Sequence, residues 1–197
     1  MTTAAAPSAT GIASALRRLY VVRFGFALVW AGLLFATASS IGPVSATLLV
    51  LYPLFDVAAA VVDTRSSRPS GSTPALYVNI VISSLAALGL VVAVTSGIPA
   101  VLRVWGIWAI VSGLVQLIVG ITRRALGGQW AMIASGAISI VAGTAFSLQA
   151  SGNDPSLRSM AGYALLGGVF FLVAALRLGR QGPTRMSTPG PIGSPKA

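Results

Sequence analysis

The amino-acid sequence predicts an all-α, polytopic integral membrane protein with six transmembrane helices. The first observation is composition, since 55% of the residues are hydrophobic and only 8% are charged. A water-soluble domain of this size carries about a quarter of its residues as charged side chains, so lipid must cover most of this surface. The second observation is that the apolar residues are gathered into six long runs.

Each apolar run has the length needed to cross a bilayer, whose hydrocarbon core of about 30 Å requires about 20 helical residues. The predicted spans are 19–39, 44–62, 76–95, 100–122, 130–149 and 159–176. A β-barrel wall needs alternating apolar and polar residues, which these runs lack, so helices are favoured. The segments 1–18 and 179–197 are rich in small residues, Pro, Ser and Thr, and are predicted to be disordered tails flanking a 19–178 membrane domain.

The distribution of basic residues predicts that both termini face the cytoplasm. Of the 13 Lys and Arg residues, all except Arg103 and Arg158 lie on one side of the six spans. Positively charged loops stay cytoplasmic, so that side is the inner one. Alternatively, Arg17 and Arg18 begin a signal peptide with a cleavage site at 36–38. Its apolar stretch is longer than a typical signal sequence, and its removal would leave five spans.

The six spans group into three helical hairpins, each joined on the predicted outer side by a short turn that contains proline. Glycines recur seven residues apart within the spans. These glycines are Gly25 and Gly32; Gly106, Gly113 and Gly120; and Gly136 and Gly143. Seven residues are close to two helical turns, so each set forms a stripe where a neighbouring helix can approach closely. The functional alternative is that the stripes line a substrate path, and exposed stripes would also permit homo-oligomers.

The second span carries Asp56, the one carboxylate predicted to lie deep within the membrane. An ionisable residue at a helix centre costs on the order of 2.5–3.5 kcal/mol on insertion, so it marks a candidate functional site. Tyr52 and Asp63 lie four residues before it and seven after it, on the same helix face. Pro53 is expected to kink the span beside Tyr52 and to free backbone groups near Asp56.

Two sets of polar groups lie at a matching depth to Asp56: Arg23 of the first span, and the cluster Asn79, Ser83 and Ser84 of the third span. In the structural interpretation, their contacts with Asp56 fix the packing of the first three helices. In the functional interpretation, Asp56 takes up and releases a proton within a cytoplasm-facing cavity. The sequence leaves both interpretations open.

The stretch 102–148 reads LRVWGIWAIVSGLVQLIVGITRRALGGQWAMIASGAISIVAGTAFSL. It contains a span that ends in a basic pair, a Gly-Gly-Gln-Trp entry into the next span, and glycines seven apart. Over residues 19–178 the chain resembles the bacterial membrane proteins related to the acid-resistance protein HdeD. The resemblance implies a multi-pass protein of the bacterial inner membrane and, for HdeD itself, a part in acid-stress survival. It implies no catalytic residues.

The available residue types narrow the function further. The chain has no Cys, no His and only three acidic residues, all of them Asp, so neither an enzyme nor a metal or cofactor site is expected. The net charge of +10 does not indicate nucleic acid, because the basic residues occur singly or in pairs. The expected function is that of a non-enzymatic HdeD-like protein in acid or envelope stress, with the bilayer as partner. The alternative is a small proton-coupled transporter or channel that uses Asp56.

Overall fold

The computed structural model describes residues 9–67, 73–122, 124 and 130–180. These residues form six helices: α1 Ala9–Ala36, α2 Pro43–Ser67, α3 Thr73–Ser96, α4 Ile98–Thr122, α5 Trp130–Gln149 and α6 Arg158–Arg180. Each helix contains a stretch that is long and apolar enough to cross a membrane. The predicted all-α class, with six helices that are long and apolar enough to span a membrane, is therefore confirmed.

The terminal helices extend beyond the predicted spans. Helix α1 begins at Ala9, within the segment 1–18 predicted to be a tail, and α6 continues to Arg180, within the segment 179–197. Alanine, leucine and arginine are strong helix formers, and they let both helices continue past their apolar stretches. The rest of the two predicted tails, 1–8 and 181–197, lies outside the described residues.

Glycine and proline define the two turns that join α1 to α2 and α3 to α4. Pro43 is the first residue of α2, where its fixed φ suits a helix start and its missing N–H is not needed. The Ser45 hydroxyl caps this end by accepting the Gly42 N–H at 2.9 Å. Gly97 alone separates α3 from α4 and has a φ of 98°, a left-handed conformation that glycine adopts without a steric penalty.

The six helices close into a ring. Each helix packs against the helices before and after it in the chain, and α1 also packs against α6. The most extensive contacts lie between α4 and α5, α1 and α6, and α2 and α3, whereas α1 with α2 and α5 with α6 touch over much less of their length. This pairing differs from the three sequential hairpins expected from the turns, because the closest pairs are not joined by the outer turns.

The glycines of α4 and α5 account for the closest pair. A Cβ built on Gly113 would lie 2.7 Å from the Gly136 carbonyl oxygen, and one on Gly136 would lie 2.7 Å from the Gly113 carbonyl oxygen. Gly106 faces Gly143 in the same reciprocal way, and Gly120 packs on Ile133. These backbones approach so closely that no larger side chain fits, which is the packing geometry of small residues in membranes.

The glycines of α1 correct the expectation of one shared packing role. A Cβ built on Gly25 or on Gly32 would meet nothing within 4 Å. Helix α1 packs on α6 through a different face, on which Ala27 lies 3.0 Å from the Cβ position of Gly168. The same seven-residue spacing therefore packs two helices in one part of the ring and remains unused within the chain in another.

We expect alanine at Gly113 to destabilise the protein by about 1–3 kcal/mol, because its methyl group would overlap the α5 backbone. Alanine at Gly32 meets open space and should be neutral or stabilising by up to about 1 kcal/mol, because alanine is the better helix former. Thermal unfolding of both purified variants in a mild detergent, followed by circular dichroism, compares them. Equal melting temperatures would contradict the close α4–α5 contact.

Candidate functional site

The Asp56 carboxylate of α2 is held by donors from two neighbouring helices. One oxygen, Oδ1, pairs with the Arg23 guanidinium of α1. The other, Oδ2, accepts the Asn79 amide at 2.7 Å and the Ser83 hydroxyl at 2.9 Å, both from α3. Both sets of partners considered from the sequence thus contact the same carboxylate, and the three helices α1, α2 and α3 are joined at this point.

Ser83 extends this polar cluster to a fourth helix. Its side chain is fully buried, and its oxygen accepts the Trp108 indole N–H of α4 at 3.2 Å while its own proton goes to Asp56. Its neighbour Ser84 instead donates to the Ile80 carbonyl of its own helix at 2.7 Å. Of the two adjacent serines, Ser83 belongs to the Asp56 cluster and Ser84 does not.

The Arg23 guanidinium has a second partner on α6. Its Cζ atom lies 4.5 Å from the centroid of the Phe171 ring, so the positive charge faces the electron-rich ring as well as the carboxylate. The Arg23 and Asp56 side chains are 12% and 19% exposed. A charge in so apolar a surrounding is tolerated only when it is paired and hydrogen-bonded, and both conditions hold here.

Tyr52 and Asp63 share a helix face with Asp56 but take no part in its hydrogen bonds. Among the described hydrogen bonds, none joins Tyr52 to Asp56. The Tyr52 ring packs instead edge-on against Trp30, with 4.6 Å between centroids. Asp63 lies two turns further along α2, about 10 Å away by the helical rise. The helix face shared by Tyr52, Asp56 and Asp63 is therefore divided between an aromatic region, the Asp56 cluster and a more distant carboxylate.

Aromatic rings fill the interior of the ring of helices next to the polar cluster. Trp30 of α1 and Trp105 of α4 stack across it with centroids 5.4 Å apart, although these two helices are not neighbours in the ring. Trp108 meets Trp105 edge-on at 5.1 Å, and Phe26 stacks on Phe55 at 3.7 Å. Both Trp30 and Trp105 are at most 1% exposed, so the interior is packed at this level.

The proline in α2 lies within this aromatic region. The helix continues through Pro53, which is fully buried, instead of ending there. Five residues earlier, the Leu48 carbonyl accepts the Trp30 indole N–H at 2.6 Å. The indole thereby ties α1 to α2 in the membrane, where a polar N–H without an acceptor would be costly.

This arrangement holds charge in place and has few groups for further chemistry. Each Asp56 oxygen already has a donor. Among the residues that the structure describes, no group of three His, Cys, Asp or Glu side chains lies close enough to hold a metal ion. The geometry therefore suits a fixed cross-link between helices. The cross-link is broken only if Asp56 or Arg23 loses its partner.

The sequence did not identify Trp108 and Phe171 as partners of the cluster. Trp108 had a usable signal, because α3 and α4 are antiparallel about Gly97 and this register brings Trp108 within a turn of Ser83. Phe171 had no such signal. Its position depends on the contact between the first and last helices, which neither spacing nor charge predicts.

We expect Asp56→Asn to lower the free energy of unfolding by about 3–5 kcal/mol, because it leaves the Arg23 guanidinium without a counter-charge in an apolar surrounding. Asp63→Asn is the control and should cost less. Unfolding both variants in mixed detergent micelles gives the comparison. Adding Arg23→Gln to Asp56→Asn should recover part of the loss, since the unpaired charge is then absent. Equal, wild-type-like stability of both single variants would rule out the cross-link.

Ser83 and Ser84 provide a second comparison between adjacent residues. Ser83→Ala should cost about 1–3 kcal/mol, because the Trp108 N–H then has no acceptor and Asp56 loses a donor. Ser84→Ala removes only a bond to its own helix turn and should change stability by less than about 1 kcal/mol. The tryptophan fluorescence of the protein, to which Trp108 contributes, should shift in the Ser83 variant alone. A shift of the same size in both variants would contradict the assigned bond.

Comparison of the chain with protein-family models, with curated proteins and with solved structures finds no match.

Proposed function

We propose that the protein is a non-enzymatic integral membrane protein of the HdeD-like kind, located in the bacterial inner membrane and acting in acid or envelope stress. One observation supports a protein that is neither an enzyme nor a transporter: both carboxylate oxygens of Asp56 are already bound by donors from neighbouring helices. The stress role is supported by the sequence resemblance of residues 19–178. In this function the packed bundle itself is the working part, and Asp56 keeps its first three helices together.

The partners of Asp56 favour this structural role over proton transport. A carboxylate that carries protons through a membrane must exchange partners and must meet water or substrate on two sides. Here the guanidinium of Arg23 and two neutral donors occupy both oxygens. A proton taken up by either oxygen would therefore have to displace a donor that belongs to α1 or α3.

The aromatic interior also favours a structural role over transport. A pathway from Asp56 toward the Gly97 end of the bundle would have to pass the stacked Trp30 and Trp105 rings. Around them the interior is filled by apolar side chains from all six helices. These include Leu34, Leu49, Leu90, Leu102, Phe146 and Met160. A transporter of this size would be expected to show polar groups lining such a route.

The residue types support the assignment to a non-enzymatic class. Hydrolytic or transfer chemistry needs a nucleophile with an adjacent base, or a metal ion. The chain has neither cysteine nor histidine, and its acidic residues are three aspartates. The one deep carboxylate is engaged by Arg23. No catalytic pair is thus available among the residues that would normally supply one.

Proton flux in proteoliposomes tests the proposal against the transport alternative. We expect no flux above protein-free vesicles when a pH gradient is imposed, for the parent protein and for Asp56→Asn alike. In the source bacterium, deletion of the gene should lower survival after acid shock, and expression of the parent protein should restore it. A flux in the parent protein would establish transport and overturn the proposal, whether or not the destabilised Asp56→Asn variant retains it. Unchanged survival of the deletion strain would remove the stress role.

A further inference from the structure

An open groove lies between α3 and α4 on the membrane-facing surface. Its volume is about 240 Å³, and its walls are almost entirely apolar. The main lining residues are Leu85 and Ala86 of α3 and Val104, Ile107, Trp108 and Val111 of α4. The volume is below the range of about 300–1,000 Å³ that is typical of sites for drug-sized ligands, so the groove suits one slender apolar chain.

The floor of the groove includes a hydrogen-bonded tryptophan. The Trp108 ring that lines it is fixed by the bond from its indole N–H to Ser83, which is itself bound to Asp56. Helix α3 approaches α4 closely beside it, because a Cβ on Gly89 would lie 3.1 Å from a Val104 methyl group. The groove is thus a preformed feature of the helix pair, and an occupant would not have to displace side chains to enter.

The walls are open to the hydrocarbon of the bilayer. Leu85 is 63% exposed and Ile107 is 61% exposed. Ile107 lies nine residues after the start of α4, about 14 Å along the helix axis, so it is at the depth of lipid acyl chains. Water does not compete for a groove at this depth, and hydrocarbon must fill it.

A cation, Arg103, lies on α4 between the Gly97 end of the helix and the residues that line the groove. Arg103 is exposed and lies one turn before Ile107 and two turns before Val111, on the same stripe of α4. A long arginine side chain at this depth extends toward the headgroups, where its planar guanidinium can bind a phosphate through two hydrogen bonds. The spacing from Arg103 to Val111 is about 12 Å along the helix, which matches a headgroup with its chain extending inward.

We propose that this groove binds one phospholipid with an anionic headgroup, its phosphate held by Arg103 and one acyl chain lying against Ile107, Trp108 and Val111. The lipid belongs to the leaflet at the end of the bundle where Gly97 joins α3 to α4. The site shares Trp108 with the Asp56 cluster. Arg103 and Ile107, the residues changed in the tests below, take no part in that cluster, so failure of this site would leave the function proposed above standing. Its specificity comes from the charge at Arg103 and its geometry from the groove.

Native mass spectrometry of the delipidated protein tests the headgroup half of the site, with phosphatidylglycerol and phosphatidylcholine of identical chains as probes. We expect one phosphatidylglycerol per chain to be retained in preference to phosphatidylcholine. Arg103→Gln should weaken phosphatidylglycerol binding about fivefold, as expected for one basic residue at a lipid surface. Arg158→Gln, which changes the other arginine predicted on this side, is the control and should leave binding unchanged. Equal effects of the two substitutions would overturn the assignment.

Filling the groove tests the acyl-chain half. Ile107→Trp should abolish retention of the lipid, whereas Ile118→Trp should not, since Ile118 lies on the same helix with a similar exposure of 60% but outside the groove. Glycerol phosphate at millimolar concentration should fail to displace the lipid. Displacement by glycerol phosphate would show a free phosphate site in place of a lipid site. Retention in the Ile107 variant would show that the groove is not occupied.

Discussion

The ion pair between Asp56 and Arg23 is the constraint on which the packing of the first half of the bundle depends. Within the membrane neither charge can be left alone, so α1 and α2 must approach at the depth where these two residues meet. Asn79 and Ser83 complete the coordination of the carboxylate, and this fixes the position of α3. The donors to this one carboxylate thereby join α1, α2 and α3 at a single depth.

The second half of the bundle is held by a different means. Helices α4 and α5 carry no buried charge in their described contact, and their backbones approach because glycine lies against glycine at two levels. The hydrophobic effect does not distinguish a helix from lipid, so close backbone contact supplies the attraction that apolar burial supplies in water. The stacked Trp30 and Trp105 rings then connect the two halves across the interior. Polar pairing, glycine packing and aromatic stacking each act in one region.

The class of the protein and the identity of its polar partners could be predicted from the sequence, because both follow from local quantities. Span length gave the number of helices, and depth matching placed Arg23, Asn79, Ser83 and Ser84 near Asp56, of which all except Ser84 bind it. The pairing of helices could not be obtained in this way. The spacing at Gly25 and Gly32 is the same as that at Gly106 and Gly113, yet only the latter pair is packed within the chain. The glycine spacing shows that another helix can approach closely. Which helix does so depends on contacts between residues far apart in the sequence, such as that of Arg23 with Phe171.

The location of the polar cluster also explains why the groove between α3 and α4 keeps its shape. Ser83 faces the interior and binds both Asp56 and Trp108, so the indole is turned toward α3 and one side of its ring is left facing the bilayer. The same hydroxyl thus completes the coordination of the buried carboxylate and holds open the surface of the neighbouring helix pair. One hydrogen-bonded chain runs from Arg23 through Asp56 and Ser83 to Trp108. It neutralises the charge inside the bundle and also positions the tryptophan that lines the groove on the lipid-facing surface.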